Sequence, residues 1–89
     1  MPTIDLEIIN KVGLHARPAA VFVQEANKFK SSIRISKDGK EVNGKSILGL
    51  LTLGINRGSI IHVSAEGEDA DLAIEAIKAL HAGNFGDPE

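Results

Sequence analysis

The sequence predicts an α+β fold of two layers, an antiparallel sheet with one wet face and one face covered by helices. Three features carry that reading. Segments around Ile4, Leu6 and Ile8, around Ile33 and Ile35, and around Ile61, Val63 and Ala65 alternate apolar and polar residues, the pattern of half-buried strands. Asp38-Gly39 is a two-residue hairpin signal, because both central positions of the favoured turn need positive φ. Between the strands lie apolar residues at helical spacing. The order is β-α-β-β-α-β-α.

Each element has its own justification. Ile4, Leu6 and Ile8 give the first strand, and Asn10 to Gly13 a loop. From about Ala16, residues Ala19, Phe22, Val23, Ala26 and Phe29 share one helical face, opposite Gln24, Glu25 and Lys28. Pro18 is tolerated in that helix's first turn. Ile33 and Ile35 mark the second strand, and Lys40 to Asn43 the return strand of the hairpin. Ile47, Leu48, Leu50, Leu51 and Leu53 predict a short helix, with Ser46 as N-cap and Gly54 as terminator. Ile61, Val63 and Ala65 mark the fourth strand. Ala70, Ala73, Ile74, Ile77 and Leu80 mark the last helix, ended by Gly83, with Asp69 and Asp71 at its positive end. Residues 84–89 read as a frayed tail.

The 89 residues suit one small domain spanning 1–89. Net charge is -2, which supplies no basic field for nucleic acid, and no Trp or Tyr is present to stack bases. With no Cys, disulfides and thiol chemistry are excluded. The N-terminus lacks a signal-peptide pattern, and no apolar run approaches the ~20 residues that span a bilayer. These features predict a cytoplasmic monomer without membrane insertion.

Two stretches compete for a phosphate. GKEVNGKS, residues 39–46, fits the phosphate-loop pattern G-x-x-x-x-G-K-S. A phosphate loop wraps its amides around the nucleotide, yet here Gly39 belongs to a hairpin turn and residues 40–43 to a strand. No later strand ends in an Asp suited to magnesium. A hairpin followed by a capped helix is the better reading. What survives is Ser46, a hydroxyl at a helix N-terminus beside Lys45.

The second stretch is GLHARPAA, residues 13–20. It sets His15 near an N-cap and Arg17 in a first turn. A cation there opposes the helix dipole, so Arg17 is misplaced unless an anion is expected. The amides of Ala16 and Arg17 lack intrahelical partners. An arginine fork matches phosphate oxygens, and neutral imidazole is a nucleophile at physiological pH. The stretch can therefore bind a phosphate and also accept a phosphoryl group covalently. An ordinary surface histidine at a helix start is about as common as a functional one.

The other candidates are weaker. His62 shares strand parity with Ile60 and Ser64 and is expected in solvent; His81 falls in the last helix's final turn. The three histidines lack metal-ligand spacing, so neither metal nor cofactor is expected. No paired acid and base, or Ser-His-Asp set, is legible. The short helix cannot bury all five of its large apolar residues. Exposed members among Ile47, Leu48 and Leu51 would make a docking surface.

GLHARPAAVFVQEA, VNGKSILGLLTLGI and AEGEDA together resemble the histidine-containing phosphocarrier (HPr) family of the bacterial phosphoenolpyruvate-dependent sugar phosphotransferase system, in one register along nearly the whole chain. The resemblance implies an open-faced β-sandwich, a sheet of order 1-4-2-3 with three helices on one face. It implies His15 as phosphoryl acceptor at Nδ1, Arg17 as phosphate stabiliser and Ser46 as a regulatory phosphorylation site. Enzyme I would be the donor and sugar-specific enzyme IIA components the acceptors. An ATP-dependent HPr kinase/phosphorylase and a transcription regulator are further partners. Val12, Ala16, Ala20, Gln24, Ile47, Leu48 and Leu51 would form the partner-binding surface. At position 12 the family often has a small polar residue, and Val12 departs from that.

Two rival roles stay open. One is a regulatory interaction protein that docks a transcription regulator through phosphorylated Ser46; the other is the nitrogen-regulatory branch of the same relay. A purely regulatory role needs no nucleophile, which weighs for the relay. In none of these roles is the chain an enzyme. It is a carrier that holds a covalent phosphohistidine.

Overall fold

The structure is a computed structural model, and it describes residues 1–86. The elements are β1 (Thr3–Glu7), α1 (Ala16–Ala26), β2 (Ser32–Lys37), β3 (Lys40–Asn43), α2 (Ile47–Thr52), β4 (Ile60–Glu66) and α3 (Ala70–Ala82), then a 3-10 turn at Asn84–Gly86. The four strands form one antiparallel sheet in the order β1-β4-β2-β3. All three helices cover one face.

Register explains the two layers. Ile4, Val63, Ile35 and Val42 line up across all four strands as one apolar row. The neighbouring row, Asp5, His62, Ser36 and Glu41, faces the other way. On that open face His62 Nδ1 meets Asp5 Oδ1 at 2.5 Å and Arg34 pairs with Glu41 at 3.3 Å. Both pairs are exposed, so each contributes little to stability. The apolar rows close onto Phe22, Val23, Leu50, Ile74 and Ile77 of the helices in one core.

Local chemistry sets the boundaries. Asp38 and Gly39 have φ of 52° and 82°, and Lys37 pairs with Lys40, so the hairpin loop has the two residues expected. The first helix ends earlier than its apolar period, which ran on to Phe29. Asn27 caps it, with Nδ2 donating to the Val23 carbonyl at 3.0 Å. The lysines of the hairpin serve α2. Lys40 Nζ donates to Thr52 O at 3.3 Å and Lys37 Nζ to Gly54 O at 3.2 Å, placing cations where helix carbonyls lack partners.

One expectation needs correction. Residues 84–86 are not frayed. Phe85 is fully buried, with its ring 6.1 Å from that of Phe22 and 6.0 Å from that of His81. Burying such a ring contributes about 1.5–3 kcal/mol, enough to hold a short terminal turn in place. The rest of the expected tail, residues 87–89, lies outside the described residues.

Asp69 and Asp71 stand at the positive end of α3, as expected. Asp69 is the N-cap, and its carboxylate makes no capping bond. It reaches across to the loop after α1, accepting from the Ser31 hydroxyl at 2.5 Å and from the amides of Lys30 and Ser31 at 2.9 and 3.0 Å. The Ser31 hydroxyl first, then the Lys30 amide, hold its carboxyl at about 2, below the usual 3.8. A depressed carboxyl contributes stability above its unfolded value and loses it as pH falls toward the folded one. The melting temperature should therefore drop more steeply between about pH 4 and 2 in the wild type than in Asp69→Asn. Parallel melting curves over that window would remove Asp69 from the acid response.

Candidate functional site

The segment before α1 is tightly placed. Ile8, just past β1, is fully buried, donates to Ser59 O at 2.8 Å and accepts from Gly58 N at 2.7 Å. Gly13 N donates to Asn10 O at 3.0 Å, closing a turn, and Gly13 has φ of 72°. A Cβ at Gly13 would lie 2.3 Å from Ile55 O and 2.8 Å from Asn56 Cα, so no other residue fits without moving backbone. Leu14 is buried and donates to the same Ile55 carbonyl at 3.0 Å. His15 then follows a rigid neighbour.

His15 is the N-cap of α1. Its backbone is extended (φ −83°, ψ −168°) and its carbonyl accepts from Ala19 N at 3.0 Å. The imidazole makes no capping bond. The first turn carries no acidic residue, and Arg17 within it is exposed. The positive end of α1 thus meets a guanidinium and an imidazole, with amides at Ala16 and Arg17 that the helix does not use. Neither Asp nor Glu offsets that charge in the turn.

Ser46 is the N-cap of α2, its Oγ accepting from Gly49 N at 3.0 Å. The stretch that matches a phosphate loop has a different geometry. Residues 40–43 are the extended β3, paired with β2. Gly44 N donates to Ile33 O at 2.7 Å, and a Cβ at Gly44 would press on Ile33 Cγ2 at 2.7 Å. Lys45 Nζ donates to Phe29 O at 2.7 Å, which ties the loop after α1 to the start of α2. The amides and the lysine that would hold a nucleotide are used in folding.

α2 buries Leu50, its C-cap Leu53 is buried behind it, and the helix's other large apolar residues stay outside. Ile47 is 40% exposed, Leu48 74% and Leu51 40%. Val12 is 70% exposed, so its side chain does not brace the loop before His15. On α1, which packs against α2, Ala16 and Gln24 are exposed and Ala20 half-buried, one above another at four-residue spacing. His62 is engaged on the open sheet face, and the half-buried His81 donates from Nε2 to Glu7 O at 2.6 Å. Among the described residues no group of three or more metal-binding side chains exists, and no helix is long and apolar enough to cross a membrane.

Sequence reasoning missed two long-range contacts of the segments flanking His15: Asn10 Nδ2 donates to Asn84 O at 2.8 Å, and the Phe85 ring packs on Phe22 of α1. Asn before a loop is a turn signal, which was available for Asn10. Nothing local distinguishes Phe85.

Comparison with known proteins places this arrangement in a family. The family model described as "PTS HPr component phosphorylation site" matches residues 2–82. The chain is 57% identical over 75 residues to the HPr-like protein Crh of Halalkalibacterium halodurans, covering 84% of this chain and 89% of that one. It is 44% identical over 84 residues to the phosphocarrier protein HPr of Neisseria meningitidis, covering 94% of each. The crystal structure of HPr-C-His from Thermoanaerobacter tengcongensis superposes with a TM-score of 0.95 at 49% identity, over 100% of both chains. The strand order and the three helices on one face are those expected of that fold. The chain belongs to the HPr phosphocarrier family of the phosphotransferase system.

Proposed function

We propose that this chain relays a phosphoryl group for sugar uptake. His15 Nδ1 attacks phosphorus on phosphorylated enzyme I, which is charged from phosphoenolpyruvate. A nitrogen–phosphorus bond forms as the donor's bond to phosphorus breaks. An enzyme IIA component then takes the group in the reverse sense, and His15 is regenerated. Arg17 and the amides of Ala16 and Arg17 hold the phosphate oxygens. Val12, Ala16, Ala20, Gln24, Ile47, Leu48 and Leu51 form the surface that both partners cover. Ser46 is a second phosphorylation site, read as regulatory.

The observation that carries the proposal is the α1 N-terminus, where an imidazole with no capping duty stands beside a first-turn arginine and no acid. Incubation with phosphoenolpyruvate and enzyme I should add one phosphoryl group that acid removes. A protein that stays unlabelled under conditions that charge another HPr would end the relay reading.

Arg17 is exposed and lies at the wrong helix end for a structural cation. Arg17→Ala should slow transfer about tenfold, the low end for a hydrogen bond to a charged group. It should change unfolding free energy by no more than about 0.5 kcal/mol. Stopped-flow transfer and denaturant titration measure the two. A large stability loss with unchanged transfer would reverse the assignment.

A second reading stays open, an interaction protein that docks a transcription regulator through phosphorylated Ser46; the relatives include both the HPr-like protein Crh and phosphocarrier protein HPr and do not favour it over the relay. That role needs an ATP-dependent kinase acting on Ser46 and makes no use of His15. Labelling from phosphoenolpyruvate separates the two.

A further inference from the structure

The last turn of the described chain holds both sides of His15. Asn84, Phe85 and Gly86 have φ of 54°, 53° and 74° in succession, and Gly86 N donates to Gly83 O at 3.0 Å. For phenylalanine this left-handed conformation is unfavourable, and it persists only where the surroundings impose it. Two contacts do so. The Phe85 ring is fully buried against Phe22, two turns along α1 from His15. The Asn84 carbonyl accepts from Asn10 Nδ2 at 2.8 Å, and Asn10 is 1% exposed.

The Asn10 backbone carbonyl accepts from Gly13 N, two residues before His15, so the residue whose side chain reaches Asn84 also closes the turn into His15. One short turn therefore grips the loop that precedes His15 and the helix that follows it. Val12, at the loop's tip, points its side chain to solvent and gives no such support. A strained turn wedged between the two supports of one side chain is more than a terminal plug, since it fixes where those supports stand relative to each other.

We propose that the Asn84–Gly86 turn is a latch that sets the placement of the His15 imidazole, and that Asn10 and Phe85 are positioning residues for phosphoryl transfer. The transfer part rests on the relay reading above; the placement part does not. Loosening the latch should degrade alignment of the ring with the incoming phosphorus while leaving Ile47, Leu48 and Leu51 in place to dock. The defect belongs in kcat rather than KM.

The test compares Asn10→Ala and Phe85→Leu with Ile35→Val, a core change on β2 away from the latch. The His15 amide and ring signals in ¹H–¹⁵N spectra should move in both latch variants and stay put in Ile35→Val. Turnover with phosphorylated enzyme I should fall about tenfold in kcat, with KM within about twofold. If Asn10→Ala does not fold, Phe85→Leu decides, because leucine fills most of the ring's volume. His15 signals that overlay the wild type in the latch variants overturn the proposal, as does an unchanged kcat. A wild type that takes no phosphoryl group ends the relay reading instead, and the His15 signals then decide the latch alone.

Discussion

His15→Ala is expected to take no label from phosphoenolpyruvate and enzyme I while keeping its fold. The loss should be complete because the imidazole nitrogen is the proposed bond-forming atom, and no neighbouring group can replace it. The stability cost should be small. Helix N-caps that lose a side-chain bond on mutation to alanine give up about 0.5–2 kcal/mol, but the His15 ring makes no capping bond. What fixes the start of α1 is backbone and core: Ala19 N to His15 O, Leu14 N to Ile55 O, and the glycine at 13. A change of at most about 0.5 kcal/mol moves the melting temperature by no more than about 4 °C in a domain this size. His62→Ala and His81→Ala should label fully, since those rings are engaged with Asp5 and the Glu7 carbonyl. Mass measurement before and after mild acid distinguishes a phosphohistidine from a phosphoserine. Full labelling of His15→Ala, or loss of labelling in His62→Ala, would move the acceptor elsewhere.

The fold was legible because its patterns are local. Ile4, Leu6, Ile33, Ile35, Ile61 and Val63 alternate, and each is found on the covered side of the sheet. Asp38-Gly39 specifies its hairpin by conformation alone. Ser46 announces α2, because a hydroxyl before an apolar run satisfies a helix amide. The misses share one cause, that their partners are distant in sequence. Asp69 stands at the start of α3 as expected, but nothing local says that Ser31, 38 residues away, takes its carboxylate. Phe85 looks like part of a tail, because only the folded chain shows Phe22 beside it. Periodicity reports a residue's own element and says nothing about which other element will claim its side chain.

The candidate site divides the same way. His15, Arg17 and Ser46 could be named from residue type at helix starts, since dipole and unpaired amides follow from position in a helix. How the loop before His15 is held could not. Gly13 is required by the approach of the Ile55 carbonyl, and Asn10 by the carbonyl of Asn84, 74 residues on.

Phosphorylated Ser46 should raise the KM for phosphorylated enzyme I by roughly 30- to 150-fold, which corresponds to about 2–3 kcal/mol of docking energy. The fold should survive the modification. Ser46 already occupies the N-cap of α2, so a phosphate there meets amides and a favourable dipole. The cost falls on docking. Ile47, Leu48 and Leu51 follow it on α2 and are exposed apolar members of the proposed surface. Phosphorylation adds about -1.5 to -2 charges at neutral pH. A partner that closes over the patch must strip water from that dianion, which is costly without a paired cation. The nearest lysine in sequence does not supply one, because Lys45 Nζ is engaged at the Phe29 carbonyl. Ser46→Asp carries about one charge, so its KM should rise in the same direction by less, and Ser46→Ala should behave as wild type. Enzyme I kinetics on the wild type, the kinase-modified protein and both variants, with melts alongside, measure the separation of docking from folding. An unchanged KM in the modified protein, or a modified protein that melts early, would leave Ser46 acting by some route other than the docking surface.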